Sequence, residues 1–232
     1  GLVEQLTEMQ TGGSKHKRLP TTWPSVDRFL DGGLQLGQLD IIAGRTGMGK
    51  TSFGTSMMYN IAQSGVPSLM ISIEMPRLQI IWKIIAGRWL IKEGNIANND
   101  MSSEDWMKFE TCAEELSDLK LFIDDKSRSL FEVIASIRSH VRRFDVKFVV
   151  VDYVQRIKVP TRDARYLEVG EVVDDLAELS KSLGVNIMLL SQINRGVEGR
   201  TSKRPAISDL SESGKIEEAA SRIFLLYRDH YY

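Results

Sequence analysis

Continuous apolar runs, without alternation, mark the strand candidates in this chain. The runs 148–151 and 187–190 contain only apolar side chains. A strand covered by helices on both faces needs apolar side chains pointing both ways, so such runs indicate a mostly parallel sheet. The pattern predicts strands at 39–43, 68–73, 120–124, 147–154, 186–192 and 222–228.

The segments between these strands show helical spacing of apolar residues. Segment 165–183 has one apolar face, formed by Val169, Val172, Val173, Leu176, Leu179 and Leu183. The spacing predicts helices at 51–63, 76–93, 103–117, 129–143 and 165–183, with a short one over Ser25–Leu30. Alternating strands and helices predict an α/β, doubly wound fold with helices on both faces of the sheet.

The first residues differ from the rest of the chain. Apolar residues recur at helical spacing within 2–10, and a basic stretch rich in helix breakers follows over 11–18. We therefore predict a linker helix and flexible basic linker over 1–18, and one compact domain over 19–232.

Composition mainly excludes classes of protein. A net charge of −1 over 232 residues does not indicate a nucleic-acid partner, and a single cysteine, Cys112, excludes an internal disulfide or a cysteine-based zinc site. The three histidines are far apart in sequence, so they indicate no metal centre. No apolar run approaches a membrane span, and we expect a cytoplasmic protein that does not contact membranes.

Residues 44–51 read GRTGMGKT, the complete G-x-x-x-x-G-K-[ST] phosphate-binding pattern, between a predicted strand and a predicted helix. Glycines let the backbone wrap phosphates closely, and the helix N-terminus attracts negative charge. Lys50 would reach the β- and γ-phosphates, and the Thr51 hydroxyl would bind Mg²⁺. The alternative, a glycine-rich turn with a chance Lys-Thr, does not explain the strand–loop–helix context. The predicted nucleotide contacts are Gly44, Arg45, Thr46, Gly47, Met48, Gly49, Lys50 and Thr51.

Polar residues end three of the apolar strands, where ligands collect in open α/β sheets. Asp152 closes a Walker B-like strand and would hold Mg²⁺; Tyr153 follows it, so the residue that activates water must come from elsewhere. Glu74 is the candidate base, and Gln192 the candidate sensor of the γ-phosphate. Each residue has an alternative interpretation: Asp152 as a turn-capping aspartate, Glu74 as a surface glutamate, and Gln192 as a glutamine that only ends its strand.

A basic segment follows Gln192. Arg195, Arg200, Lys203 and Arg204 are opposed only by Glu198. We predict a polyanion-binding segment beside the sensor; the alternative is a solvated loop, which is the more common fate of short basic runs.

Taken in order, five segments resemble the signatures of DnaB-type replicative DNA helicases, over about residues 19–232. They are 33–39 (GLQLGQL), 72–76 (SIEMP), 151–155 (VDYVQ), 190–195 (LSQINR) and 203–217 (KRPAISDLSESGKIE). The resemblance implies a RecA-like core in a homo-hexamer, with ATP between subunits and single-stranded DNA in the central channel. It also implies primase and a helicase loader as partners of the full-length protein. That protein looks larger than this chain, and it looks like one of phage or plasmid origin.

Residue roles follow from the same resemblance. Glu74 matches the catalytic glutamate, Gln192 the γ-phosphate sensor and Arg228 a position near the nucleotide base. The DNA-holding loops of the family include 208–214, which adds Ser211, Glu212 and Gly214 to the predicted DNA contacts.

Two departures from the family pattern affect the expected function. The family usually reads S-D-L-R-E-S-G where this chain has Ser211, which removes a DNA-contacting arginine. The family's arginine finger would follow Tyr232, so we expect this chain alone to bind ATP but hydrolyse it poorly, with Arg222 the first candidate for a substitute finger. A RecA-like recombinase or clock-type ATPase, and a non-motor oligomeric scaffold or loader, remain as alternative functions.

Overall fold

Six parallel strands form the central sheet in the computed structural model of the chain, which describes residues 18–159, 165–210 and 213–231. The order across the sheet is β5-β4-β6-β7-β3-β8. A separate antiparallel pair, β1 with β2, precedes it. The strands are β1 (Arg18–Leu19), β2 (Leu34–Gln35), β3 (Leu39–Gly44), β4 (Ser68–Ser72), β5 (Leu121–Asp124), β6 (Phe148–Asp152), β7 (Asn186–Gln192) and β8 (Arg222–Leu225).

Helices cover both faces of this sheet. They are α1 (Pro24–Phe29), α2 (Lys50–Gln63), α3 (Arg77–Trp89), α4 (Glu93–Ala97), α5 (Ser103–Asp118), α6 (Leu130–Phe144), α7 (Arg165–Leu183) and α8 (Ser213–Ala219). The predicted doubly wound α/β fold is confirmed, including all six strands of the central sheet. The linker helix and flexible basic linker predicted over 1–18 lie outside the described residues, except for Arg18, which begins β1 and so belongs to the folded domain.

Three predicted boundaries were wrong. The helix predicted over 76–93 ends at Trp89, because Leu90 takes a left-handed conformation with φ +59°, and the chain restarts as α4. The strand predicted over 147–154 ends at Asp152, where residues 154–156 turn into a 3₁₀ helix. The strand predicted to reach 228 ends at Leu225.

The two faces of the sheet bury separate hydrophobic clusters. One contains Ile41, Val149 and Leu189 against α6 and α7, and the other contains Ile42, Val150 and Leu190 against α2 and α3. Burial on both faces explains the absence of alternation in the sequence, since every residue of β3, β4 and β6 is buried. At about 1.5–3 kcal/mol for each large apolar side chain, this burial is the main stabilising term that holds the strands in register.

That register brings the polar strand ends together. Gly44 is the ladder partner of Gln192, and Ser72 is the partner of Asp152. Parallel strands end at the same edge, so the phosphate-binding pattern and three candidate polar residues converge there.

Candidate nucleotide-binding site

The phosphate-binding pattern forms a loop between β3 and α2. Gly47 and Gly49 have φ of +83° and +93°, a region that glycine adopts without steric cost. The Lys50 Nζ donates hydrogen bonds to the carbonyl oxygens of Gly44 at 2.9 Å and Arg45 at 3.2 Å. The ammonium is thus folded over the mouth of the loop, and burial lowers the pKa of Lys50.

Thr51 and Asp152 meet at the start of α2. The Thr51 Oγ1 donates to Asp152 Oδ2 at 2.7 Å, and Asp152 is only 4% exposed. Burial raises the pKa of this carboxyl, while the Thr51 hydrogen bond and the charge of Lys50 oppose the rise.

This oxygen pair fits a magnesium ion. Mg²⁺ is commonly held by one or two protein oxygens together with substrate phosphates, which requires no cage of acidic residues. Within the described ranges, no group of three or more His, Cys, Asp or Glu side chains is arranged to hold a metal. The hydroxyl of Thr51 and the carboxylate of Asp152 therefore offer the best-placed oxygens beside the loop.

Gln192 contacts the phosphate-binding loop from the end of β7. Its Nε2 donates to the Thr46 Oγ1, so the side chain already reaches the phosphate-binding loop. Its backbone is fixed by Gln155: the Gln192 N–H donates to Gln155 Oε1 at 3.2 Å, and Gln155 Nε2 donates to Ser191 Oγ at 3.1 Å. The predicted sensor is therefore held at both its side chain and its backbone.

Glu74 stands just beyond β4, and its side chain is 48% exposed. The Arg156 Nη2 donates to its Oε1 at 3.3 Å. Sequence reasoning did not identify Arg156, because the two residues are distant in the chain and no motif connects them.

Two adjoining cavities occupy this edge of the sheet. The larger, of about 460 Å³, is lined by residues that include Thr46, Lys50, Thr51, Glu74, Asp152 and Gln192. The smaller, of about 320 Å³, is lined by residues that include Trp23, Met48, Phe53 and Tyr227. Arg228, which the sequence predicts to lie near the nucleotide base, lines both cavities. The smaller cavity has the aromatic walls that suit a nucleobase.

Several lining residues were missed from the sequence. Trp23 and Phe53 pack with ring centroids 4.9 Å apart beside the smaller cavity, and Lys83 reaches the larger one from α3. The Lys83 Nζ also pairs with Glu93 at 3.1 Å. Nothing in the local sequence marked Trp23, since it precedes the loop in the chain and joins it only through packing against α2.

The basic segment has partners of its own. Arg200 forms an ion pair with Asp209, and the Arg204 guanidinium lies 5.7 Å from the centre of the Tyr227 ring. Lys203 is half-buried. The Arg195 side chain, Ser211 and Glu212 lie outside what the structure describes. Gly214 lies on α8.

The end of β7 connects the predicted sensor to the predicted DNA-binding region. Ile193 forms an isolated antiparallel bridge with Leu210, and the Asn194 N–H donates to the Asp209 carbonyl at 2.8 Å. Gln192 is thus directly followed by backbone that pairs with 209–210. The predicted polyanion-binding segment therefore lies beside the predicted sensor. The described helices include none long and apolar enough to cross a membrane.

Comparison with known proteins places this arrangement in a family. Residues 18–232 match the model of the DnaB-like helicase C-terminal domain. The chain is 37% identical over 208 residues to the replicative DNA helicase DnaB of Buchnera aphidicola subsp. Schizaphis graminum, covering 86% of this chain and 44% of that protein. It is 34% identical over 218 residues to the replicative DNA helicase DnaC of Bacillus subtilis, covering 92% and 48%. The chain therefore spans about half the length of these relatives.

Solved structures agree with the sequence relatives. A DnaB-like replicative helicase, described with its interactions with primase, aligns with a TM-score of 0.88 and 30% identity over 100% of this chain and 56% of that chain. The family match covers nearly the whole chain. In this chain the six-stranded parallel sheet carries the phosphate loop, Asp152 and Gln192. The chain thus belongs to the DnaB-like helicase C-terminal domain family.

Proposed function

We propose that this chain is the ATP-hydrolysing motor of a cytoplasmic replicative helicase, which moves along single-stranded DNA and separates the strands of a duplex. The observation that carries the proposal is the convergence of Lys50, Thr51, Glu74, Asp152 and Gln192 on one cavity. The names of the sequence relatives support the replicative role.

ATP is the proposed substrate, with Mg²⁺ held by Thr51 and Asp152. The metal, when bound, neutralises charge on the β- and γ-phosphate oxygens. Lys50 adds a fixed positive charge at the loop, and the loop N–H groups bind the phosphates. Arg228 and the aromatic residues Trp23 and Phe53 would hold the base.

Glu74 is the proposed general base. It accepts a proton from water as the water oxygen bonds to the γ-phosphorus, while the bond from that phosphorus to the β–γ bridging oxygen breaks. ADP leaves with the electron pair of that bond. Gln192 would contact the γ-phosphate before cleavage and lose that contact afterwards, next to the backbone that pairs with 209–210.

The proposed assembly is a homo-hexamer with single-stranded DNA in its channel. Arg195, Arg200, Lys203, Arg204, Ser211, Glu212 and Gly214 are the proposed DNA contacts. Primase and a helicase loader are proposed partners of the full-length protein. The similar DnaB-like helicase that was described with its interactions with primase supports the first of these.

Three measurements test this function. Single-stranded oligo-dT should stimulate ATP hydrolysis by the assembled full-length protein; a scaffold or loader without motor activity would show no stimulation. Displacement of a labelled strand from a forked duplex separates a helicase from a RecA-like recombinase or clock-type ATPase. Particle mass with Mg²⁺ and a non-hydrolysable ATP analogue, with and without oligo-dT, tests the ring.

A further inference from the structure

The side chain of Arg156 bridges two residues of the candidate site. Its Nη2 donates to Glu74 Oε1 at 3.3 Å, and its Nε donates to the Tyr153 hydroxyl at 3.0 Å. Glu74 and Tyr153 both line the larger cavity, whereas Arg156 is not among the residues that line it. The guanidinium therefore approaches the carboxylate from outside the cavity.

The backbone of Arg156 is well fixed. It ends the 3₁₀ turn Val154–Arg156, and the flanking side chains of Val154 and Ile157 are buried. The middle residue of the turn, Gln155, is hydrogen-bonded to the backbone of Gln192. The turn is thus attached to both β6 and β7, so the Arg156 side chain extends from a rigid backbone.

We propose that Arg156 is a positioning residue for Glu74. By binding Oε1 from behind, it orients the carboxylate so that Oε2 faces the cavity and is left to accept the proton of the attacking water. Among the described residues, Arg156 is the only hydrogen-bond donor to this carboxylate. The proposal rests on the proposed function, in which Glu74 is the base.

Exposure limits the size of this effect. The side chains of Arg156 and Glu74 are 57% and 48% exposed, and exposed ion pairs are weak because water and salt screen them. We therefore expect loss of the pair to lower kcat about twofold to fivefold. Loss of the base itself should cost roughly a hundredfold or more.

The experiment compares Arg156→Met, which keeps an apolar stem without donors, with Arg156→Lys, which keeps a cation. Both are made in the wild-type and Glu74→Gln backgrounds of the assembled full-length protein. Steady-state assays give kcat and KM, and radiolabelled ATP at enzyme excess resolves the slow Glu74→Gln variants. We expect Arg156→Met to lower kcat about twofold to fivefold with KM unchanged. Arg156→Lys should recover at least half of that loss. Neither change should lower the hydrolysis rate of the Glu74→Gln variant further.

An unchanged or higher kcat in Arg156→Met would overturn the proposal, and a higher one would mean that the ion pair restrains the base. An equal loss in the Glu74→Gln background would also overturn it, because Arg156 would then act independently of Glu74. Thermal melting and the affinity for a fluorescent nucleotide identify a variant that merely misfolds. If Arg156→Met misfolds, the kcat of Arg156→Lys decides whether Arg156 positions Glu74. A wild-type rate in Glu74→Gln alone would instead show that the base in the proposed function is wrong.

Discussion

Gly44 and Gln192 are directly opposite each other where β3 and β7 end. The phosphate loop therefore starts beside the predicted γ-phosphate sensor, and the Gln192 side chain reaches Thr46 within that loop. On its other side, β7 continues into the backbone that pairs with Asp209 and Leu210. A movement of Gln192 on loss of the γ-phosphate would therefore need to pass through only two residues of backbone, 193–194, to reach the predicted DNA-binding region.

Binding and hydrolysis of the nucleotide should depend on different residues. Lys50→Ala should weaken nucleotide binding, because it removes the charge that meets the β- and γ-phosphates. Glu74→Gln should leave binding nearly intact and lower turnover by roughly a hundredfold or more, as expected for loss of a general base. Equilibrium binding of a fluorescent ATP analogue and steady-state hydrolysis by the assembled protein measure the two effects separately. Wild-type hydrolysis by Glu74→Gln would remove Glu74 from the mechanism.

Much of this site could be predicted because its signals are local. The phosphate loop is a contiguous motif, and Asp152 ends an uninterrupted apolar run. Glu74 and Gln192 each end a run that is apolar except for one serine. The rule that parallel strands end at one edge was then enough to group them.

The features that were missed arise from contacts between distant parts of the chain. Arg156 meets Glu74 across 82 positions of sequence, and Trp23 reaches the loop only by packing on Phe53. The break after α3 was missed for a different reason. It occurs at Leu90, an exposed residue in a left-handed conformation, and residues 88–93 include neither proline nor glycine to signal it.

Asp152→Asn should stabilise the protein while impairing its use of magnesium. Burial raises the pKa of Asp152, so folding favours the protonated carboxyl, and the resulting stability is lost as pH rises through the folded-state pKa. Asparagine can still accept the Thr51 hydrogen bond and carries no charge to bury. We expect the melting temperature of Asp152→Asn to exceed the wild-type value at neutral pH and the difference to shrink toward acid pH. Each 1 kcal/mol of added stability should raise the melting temperature by about 2–4 °C.

The matched control for that variant is Asp145→Asn. Asp145 is a surface carboxylate that pairs with Lys147 at 2.7 Å, and its removal should change the melting temperature little. Mg²⁺-ATP should raise the melting temperature of the wild type much more than that of Asp152→Asn, because that variant has lost a magnesium ligand. Equal stabilisation of both by Mg²⁺-ATP would show that Asp152 is not a ligand.

The basic segment should bind DNA without reading its sequence. Replacing Arg195, Arg200, Lys203 and Arg204 with alanine should weaken binding of the ring to single strands of any sequence. Each lost phosphate contact should reduce the salt slope by about one unit or less. Because Arg200 pairs with Asp209 and Arg204 stacks on Tyr227, we expect their single variants to have smaller effects than the combined change.

A control for total charge comes from the exposed end of α6. Alanine at Arg142 and Arg143 removes two cations far along the chain from the segment and should leave the affinity unchanged. Fluorescence anisotropy at several salt concentrations measures all variants. An unchanged affinity of the fourfold variant would favour the alternative of a solvated loop.

Arg222 should prove structural and should not serve as the substitute arginine finger that the sequence offered. Its Nε donates to Asp40 Oδ1 at 2.7 Å and its Nη2 to Oδ2 at 3.0 Å, while Asp40 is fully buried near the start of β3, at the end of the strand away from the phosphate loop. Removing one partner of a buried pair leaves an uncompensated charge, so Arg222→Met should cost about 3–5 kcal/mol. Denaturant unfolding measures this loss.

A second change tests the cause of that instability. Adding Asp40→Asn to Arg222→Met removes the orphaned charge and should recover much of the lost stability, because Asn186 Nδ2, now 2.7 Å from Asp40 Oδ2, still has an oxygen to bond. Lys108→Met, which breaks the exposed pair with Glu104, should change the stability little, because water and salt screen that pair. The opposite pattern, in which Arg222→Met unfolds like the wild type but abolishes hydrolysis in mixed assemblies, would return Arg222 to the active site of a neighbouring subunit.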